Sequence, residues 1–352
     1  MSNSILDLQL FNFEVSKDEI HNNFIKAGNI HKKIIDIIKP KIREDLPLIN
    51  IAELIENTIK REVDFKDLYP QRLDKGIGFP IGLSLNECAA HWTPNPLDNR
   101  KLTKNDLLKI DYGIHIGGCI VDGAYSFSLE NKFDELIQIA NDATSLAIKM
   151  SGVDTILGDI GTEVQEFIES HEIMLDGKMR KVKSFRDLTG HKIIPWVIHS
   201  DKCVPNFSIP YNVRMEEGEY YAIETFPSTG IGKGEEQNEV SHYQVNVDLL
   251  LKEYRELNNI NCNTGGKILN PIKLDKKENY VYHRILNLYE TLPFCKRWLK
   301  EEKVNKYQLP LKSLVNKKRI KAFPPINDIN GSYVAQSEKT IYIGKNGVTI
   351  LN

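Results

Sequence analysis

Residues 106–129 read DLLKIDYGIHIGGCIVDGAYSFSL, and the rest of the fold is read outward from them. Two runs of β-formers flank Gly117 and Gly118, so the segment is expected to fold as a hairpin turning on that pair. Asp111 and Asp122 lie on opposite sides of the turn, on neighbouring strands, nearly opposite one another and within cross-strand reach. Two carboxylates set among Ile110, Ile120 and Val121 would repel one another and be poorly solvated. A shared cation removes that cost, so the pair is read as metal-binding rather than as two aspartates facing water.

Upstream, residues 14–75 read as helical. Ser16 with Glu19 has the form of a capping box, an apolar stripe runs from Ile20 to Ile38, and Pro40 stops the helix. Asn50 is expected to open a second helix. Downstream, helices are expected over about 134–150 and 159–170, with strands around 191–199, 219–226 and 338–343. Helices followed by antiparallel strands, twice over, give an α+β class with an internal pseudo-repeat. Residues 244–322 break this pattern with Asn- and Lys-rich sequence, then helical stretches over about 281–303 and 308–316. The β-like tail VAQSEKTIYIG returns to the parent sheet. The expected organisation is a helical N-terminal segment over 1–75, a core over 76–243 and 323–352, and a helical insertion over 244–322. The Asn-rich stretch near 255–280 is expected to be a mobile loop.

Among 352 residues, 41% are hydrophobic and the formal net charge is −2, which supplies a sizeable core and argues against a strongly basic nucleic-acid binder. Five widely spaced cysteines without a CxxC pair disfavour a disulfide framework or a structural zinc site. The N-terminal twenty residues lack the features of a signal or transit peptide, and no apolar run is long enough to span a membrane. The expectation is a soluble, cytoplasmic monomer.

Three further carboxylate and imidazole positions extend the Asp111–Asp122 pair. Glu224 sits in YYAIETF, a run of β-formers with no reason of its own to host a carboxylate. His191 follows Gly190 in LTGHKI, and His199 closes an apolar stretch in WVIHS. Glu338, in AQSEKTIYI, is evenly balanced between a ligand and a solvent-facing strand residue. His91, in CAAHWTPN, is a general-acid or hydrogen-bonding candidate. The segment GIGKG at 230–234 lacks the GKS or GKT of a phosphate loop, and neither GxSxG nor HExxH is present.

With these residues in hand, the chain closely resembles the type 2 methionine aminopeptidases. The resemblance rests on GIGFPIGLSLNECAAHWTPN, KIDYGIHIGGCIVDGAYSF, LTGHKI with VIHSDKCVP, RMEEGEYYAIETFPSTG, SHY at 241–243, FCKRWL and GSYVAQSEKTIYI. It implies the pita-bread fold with an inserted helical subdomain, and removal of initiator methionine from nascent chains, with a small second residue preferred. It further implies two divalent ions (Mn, Co, Fe or Zn). Asp111 would bind one, His191 and Glu224 the other, with Asp122 and Glu338 bridging. His91, His199 and Glu224 would be catalytic, and Phe79, Ile198 and His242 would line the methionine slot beside the two histidines. Fumagillin-type epoxides would alkylate His91. The implied partners are nascent polypeptide N-termini and the ribosome, with neither a membrane nor direct nucleic-acid binding. Pro293 stands where the family commonly has Ala, and Phe323 where Tyr is common, so the pocket is expected to differ in shape.

Two rival readings share the fold. A non-catalytic relative that binds RNA or protein would have lost metal ligands, and all five are present. A proline-directed peptidase shares the ligands but not the insertion or CAAHWTPN.

Overall fold

The computed structural model describes residues 15–64, 74–257 and 273–352, with side chains of 253–257 left aside. The predicted hairpin is its organising element. Strands Leu108–Ile116 and Cys119–Phe127 pair antiparallel with Ile116 opposite Cys119. The two-residue turn between them has φ of 56° at Gly117 and 76° at Gly118. Two successive positive φ values are what a type I′ turn demands and what glycine adopts freely.

The hairpin is extended into a nine-stranded sheet in the order Lys75–Ile77, Leu108–Ile116, Cys119–Phe127, Ser337–Gly344, Tyr220–Thr225, Gly190–Ile193 and Cys203–Val204. Gly82–Leu85 pairs with the first hairpin strand, and Gly347–Ile350 with Ser337–Gly344. Strand periodicity divides the sheet into two faces. Ile110, Tyr112, Ile114 and Val121 look toward the helices Lys17–Ile38 and Leu48–Glu62. Tyr221, Ile223, Ile341 and Ile343 look toward helices Asp134–Met150 and Leu157–Glu169. The alternate residues of the same strands, Asp111, Asp122, Glu224 and Glu338 among them, therefore share the opposite face.

Residues 242–323 cover that face with a core of their own, built from Tyr243, Val281, Ile285, Leu288, Phe294, Leu299 and Leu314. Its helices are Val247–Leu257, Lys276–Tyr289, Lys296–Glu301 and Gln308–Asn316. A small sheet sets His242–Val245 between Phe294–Cys295 and Ile320–Phe323. Arg297 anchors this layer to the N-terminal helices, donating to both carboxylate oxygens of Glu56 at 2.7 and 2.6 Å. Both side chains are only 4% exposed, and the Trp298 indole N–H adds a third bond to Glu56 at 2.8 Å.

Several local expectations shift. The second helix begins at Leu48, two residues before Asn50, with Pro47 as its N-cap. Only half of the expected capping box is present, Ser16 accepting from the Glu19 N–H at 3.2 Å. The strand expected over 191–199 stops at Ile193, because Ile194 and Val197 close a tight turn on one another. The helical stretch expected over 281–303 is interrupted between Tyr289 and Lys296 by the Phe294–Cys295 strand. Of the mobile loop expected near 255–280, residues 258–272 lie outside the described residues, while Lys276–Tyr289 is a helix closed by an Asp275–Glu278 capping box.

Candidate metal centre

Register brings the five predicted ligands to one place. In the hairpin, Asp111 stands opposite Ala124 and Asp122 opposite Gly113, so the two aspartates are cross-strand diagonals rather than a directly facing pair. Glu224 faces Glu338 across Tyr220–Thr225 and Ser337–Gly344. His191 faces Ala222, one diagonal from Glu224. Ser337 pairs with Tyr125, which sets Glu338 beside the hairpin on the same face as Asp122. Ligand atoms of Asp122, His191 and Glu338 all lie within 4.8 Å of one another, and His191 Nε2 is 3.6 Å from Asp122 Oδ2. Asp111 and Glu224 are joined through Gln336, whose Nε2 donates to Glu224 Oε2 at 3.2 Å and lies 3.5 Å from Asp111 Oδ2.

The electrostatics of this cluster are unfavourable as it stands. Burial pushes the Asp111 carboxyl up to about 7. Asp122, Glu224 and Glu338 are likewise raised well above the usual carboxylate range, by burial first and then by one another's charge. Burial lowers His191 to about 4, so its imidazole is neutral and able to ligate. Asp111 Oδ1 and Asp122 Oδ1 are buried without a hydrogen-bond donor. Buried carboxylate oxygens are normally satisfied. Four carboxylates and an imidazole with two orphaned oxygens fit hard-to-borderline divalent cations, and the described residues offer no cationic side chain in their place.

The backbone behind the ligands is held firmly. Asp122 exchanges two hydrogen bonds with the Thr340 hydroxyl, each 2.8 Å, and its carbonyl also accepts from Asn352 Nδ2 at 2.7 Å. Asn352 in turn reaches His31 Nδ1 at 3.3 Å, and His31 Nε2 meets the Tyr112 carbonyl at 2.9 Å.

The remaining predicted residues surround the ligands. One pocket is lined by all five together with Phe79, His91, Ile198, His199, His242, Pro293 and Phe323. Phe79 packs against the hairpin at Gly113, where a Cβ would come within 2.3 Å of its ring. His199 packs edge-on against His191 at 4.2 Å between centroids. His91 has φ of 66°, a left-handed backbone that a non-glycine residue holds only under constraint, and its ring meets Phe323 edge-on at 5.7 Å. Burial lowers His91 to about 4 and His242 to about 3, with His199 also well below its usual value, so all three are neutral donors. His242 Nε2 is fixed by the Pro80 carbonyl at 3.2 Å.

Sequence reasoning missed Gln336 and Asn352. Gln336 was legible in principle, since it lies two residues before Glu338 and so shares its face. Asn352 carried no signal, because two of its side-chain partners, Asp122 and His31, are 230 and 321 residues away.

The metallopeptidase family M24 profile matches residues 22–253. Methionine aminopeptidase 2 from Puccinia graminis f. sp. tritici is 38% identical over 326 residues, covering 92% of this chain and 66% of that protein. Methionine aminopeptidase 2 from Komagataella phaffii is 39% identical over 330 residues, covering 94% and 69% respectively. The chain thus spans about two thirds of the length of these relatives. In fold, it superposes on a thermophilic Arx1 with a TM-score of 0.73 at 15% identity, covering 96% of this chain and 91% of that one. A methionine aminopeptidase from Thermotoga maritima gives 0.61 at 17% identity, covering 96% and 97%. These neighbours support the α+β class read from the elements and the pita-bread fold that the resemblance implies. On the family match and the extent of its likeness to the methionine aminopeptidase 2 proteins, the chain belongs to metallopeptidase family M24.

Proposed function

We propose that this chain is a methionyl aminopeptidase, removing the initiator methionine from proteins and peptides whose second residue is small. The observation that carries this reading is the convergence of Asp111, Asp122, His191, Glu224 and Glu338 on one buried sheet face beside an apolar pocket. Asp122 and Glu338, central in that cluster, would bridge two divalent ions, with Asp111 on one side and His191 and Glu224 on the other. When bound, such ions supply an activated water at neutral pH and polarise a carbonyl.

The chain's own side chains do the rest. The free α-amine of the substrate would be taken at the ligand cluster, which restricts cleavage to the chain end. Phe79, Ile198, His242 and Pro293 give the methionine side chain an apolar slot and exclude water from it. Neutral His199 donates to the oxyanion that develops on the scissile carbonyl. His91, at the pocket's edge beside Phe323, assists the leaving amine and is the nucleophile fumagillin-type epoxides would alkylate. Glu224 carries the proton from water to that amine. Phe323 against His91 narrows the space for the second residue, in keeping with a small-residue preference.

The metals this reading admits are Mn, Co, Fe or Zn, since the donor set alone does not choose among them. It places the chain in the cytoplasm, acting as a monomer on nascent N-termini near the ribosome. Among the described residues no helix is long and apolar enough to cross a membrane. The test is methionine release from a Met-Ala-Ser peptide by metal-stripped protein, with and without Mn(II) or Co(II). Metal-dependent release is expected. Folded protein that releases none with any divalent ion would overturn the assignment.

A further inference from the structure

We propose that a cleft backing onto the metal-site pocket is a second ligand site, one that takes a small neutral ring bearing a hydroxyl or N–H group and seats it on His115. His115 lies on the first hairpin strand on the same face as Asp111, opposite Ile120 and just before the turn. Its side chain is buried, with the residue 1% exposed, and Nδ1 has no hydrogen-bond partner. Burial holds the imidazole neutral, with a pKa of about 4. A buried, neutral, unpartnered imidazole at the floor of a cleft is an unmet hydrogen bond, and native interiors rarely leave one unmet.

The walls define the rest of the ligand. Ile77, Leu288, Leu292 and the Trp298 indole make them apolar, and the cleft measures about 600 Å³ with its open mouth included. Lys60 and Glu301 stand at the mouth with opposite charges, and Glu301 is already engaged by Arg297 at 3.2 Å. Glu302 stands there too, with an interaction of its own, so it is the apolar walls rather than the mouth that call for a neutral ligand. An indole in the lining, that of Trp298, favours a flat ring. A hydroxyl suits the floor best, because it both donates and accepts and so satisfies either tautomer of His115.

The cleft is distinct from the metal pocket but shares Pro293 with it, so the two cavities stand on either side of one residue. None of its other lining residues takes part in the metal cluster. The site stands whether or not the aminopeptidase reading does, since its test reads binding alone.

The experiment is calorimetric titration of the full chain with 4-methylphenol, in wild type, His115→Phe and Lys60→Trp. His115→Phe keeps the ring volume and removes both nitrogens, whereas Lys60→Trp narrows the mouth from the surface and leaves the interior intact. One-site binding to wild type is expected, weakened at least tenfold in each variant, with melting temperatures and methionine release unchanged. Absence of binding to wild type would show that the cleft holds only water and would overturn the proposal. Equal affinity for wild type and both variants would place the probe elsewhere, and would overturn it as well.

Discussion

Glu56 and two carboxylates of the metal face, Asp122 and Glu338, are about equally buried, yet the chain treats the two regions in opposite ways. Glu56 receives a bidentate guanidinium from Arg297 and an indole N–H from Trp298. Asp111, Asp122, Glu224 and Glu338 receive one side-chain amide, from Gln336, and otherwise face one another. The first arrangement is complete within the chain and serves to lock the layer over 242–323 onto the N-terminal helices. The second is incomplete, and its missing partner must come from outside. Burial alone does not mark a functional carboxylate. Burial without a compensating group does.

The contrast is sharpened first at the metal face. Asp122→Ala removes a carboxylate shared across the cluster, so peptide hydrolysis is expected to fall by about a thousandfold or more, with loss of bound metal by elemental analysis. A variant that keeps two ions at full occupancy would refute the bridging role. His91→Ala should lower turnover by about 10²–10⁴-fold, a general-acid magnitude. It should leave metal content intact and abolish labelling by a fumagillin-type epoxide; normal labelling would remove His91 from the mechanism.

At the structural pair the effect is on folding instead. Glu56→Ala leaves Arg297 buried without its main partner and should cost about 3–5 kcal/mol by chemical denaturation. The double change Glu56→Leu with Arg297→Met should recover most of that loss. If the single variant proves neutral, the lock between the two layers is not what it appears from its geometry.

A pH experiment separates the two kinds of carboxylate directly. In metal-stripped protein the Asp111 carboxyl is raised from 3.8 to about 7. The folded state therefore binds more protons than the unfolded chain between those values, and stability falls as pH rises through that window. Metal-free protein is expected to melt higher at pH 5 than at pH 8, with the difference reduced in Asp111→Asn and absent on loading with Mn(II). The smallest effect should come from Asn352→Ala. It strips a donor from the Asp122 carbonyl and an acceptor from the Thr340 N–H, a loss of about 1–3 kcal/mol.

Much of this was legible in one dimension where the physics is local. The Gly117–Gly118 turn fixed the hairpin because two positive φ values leave few residues to choose from. Pairing about that turn then put Asp111 and Asp122 on neighbouring strands and nearly opposite, and in the structure they are cross-strand diagonals. Helices Asp134–Met150 and Gln308–Asn316 fall on the expected residues, the first because its apolar stripe runs the length of a 17-residue helix. The boundary at Leu48 and the break before Phe294 were not legible, because a proline cap and a short strand recruited by His242–Val245 override the local pattern.

Sequence by itself determined the turn, the strand faces and the identity of the donors, since each depends on neighbours a few residues apart. Resemblance to relatives raised Glu338 above an even reading. Only the tertiary structure decided that Glu338 is buried opposite Glu224, that Gln336 ties Asp111 to Glu224, and that Glu56 has a partner 241 residues away. The reason is that compensation of charge is a property of space. A chain records which carboxylates it carries, but not which of them folding will leave without a cation.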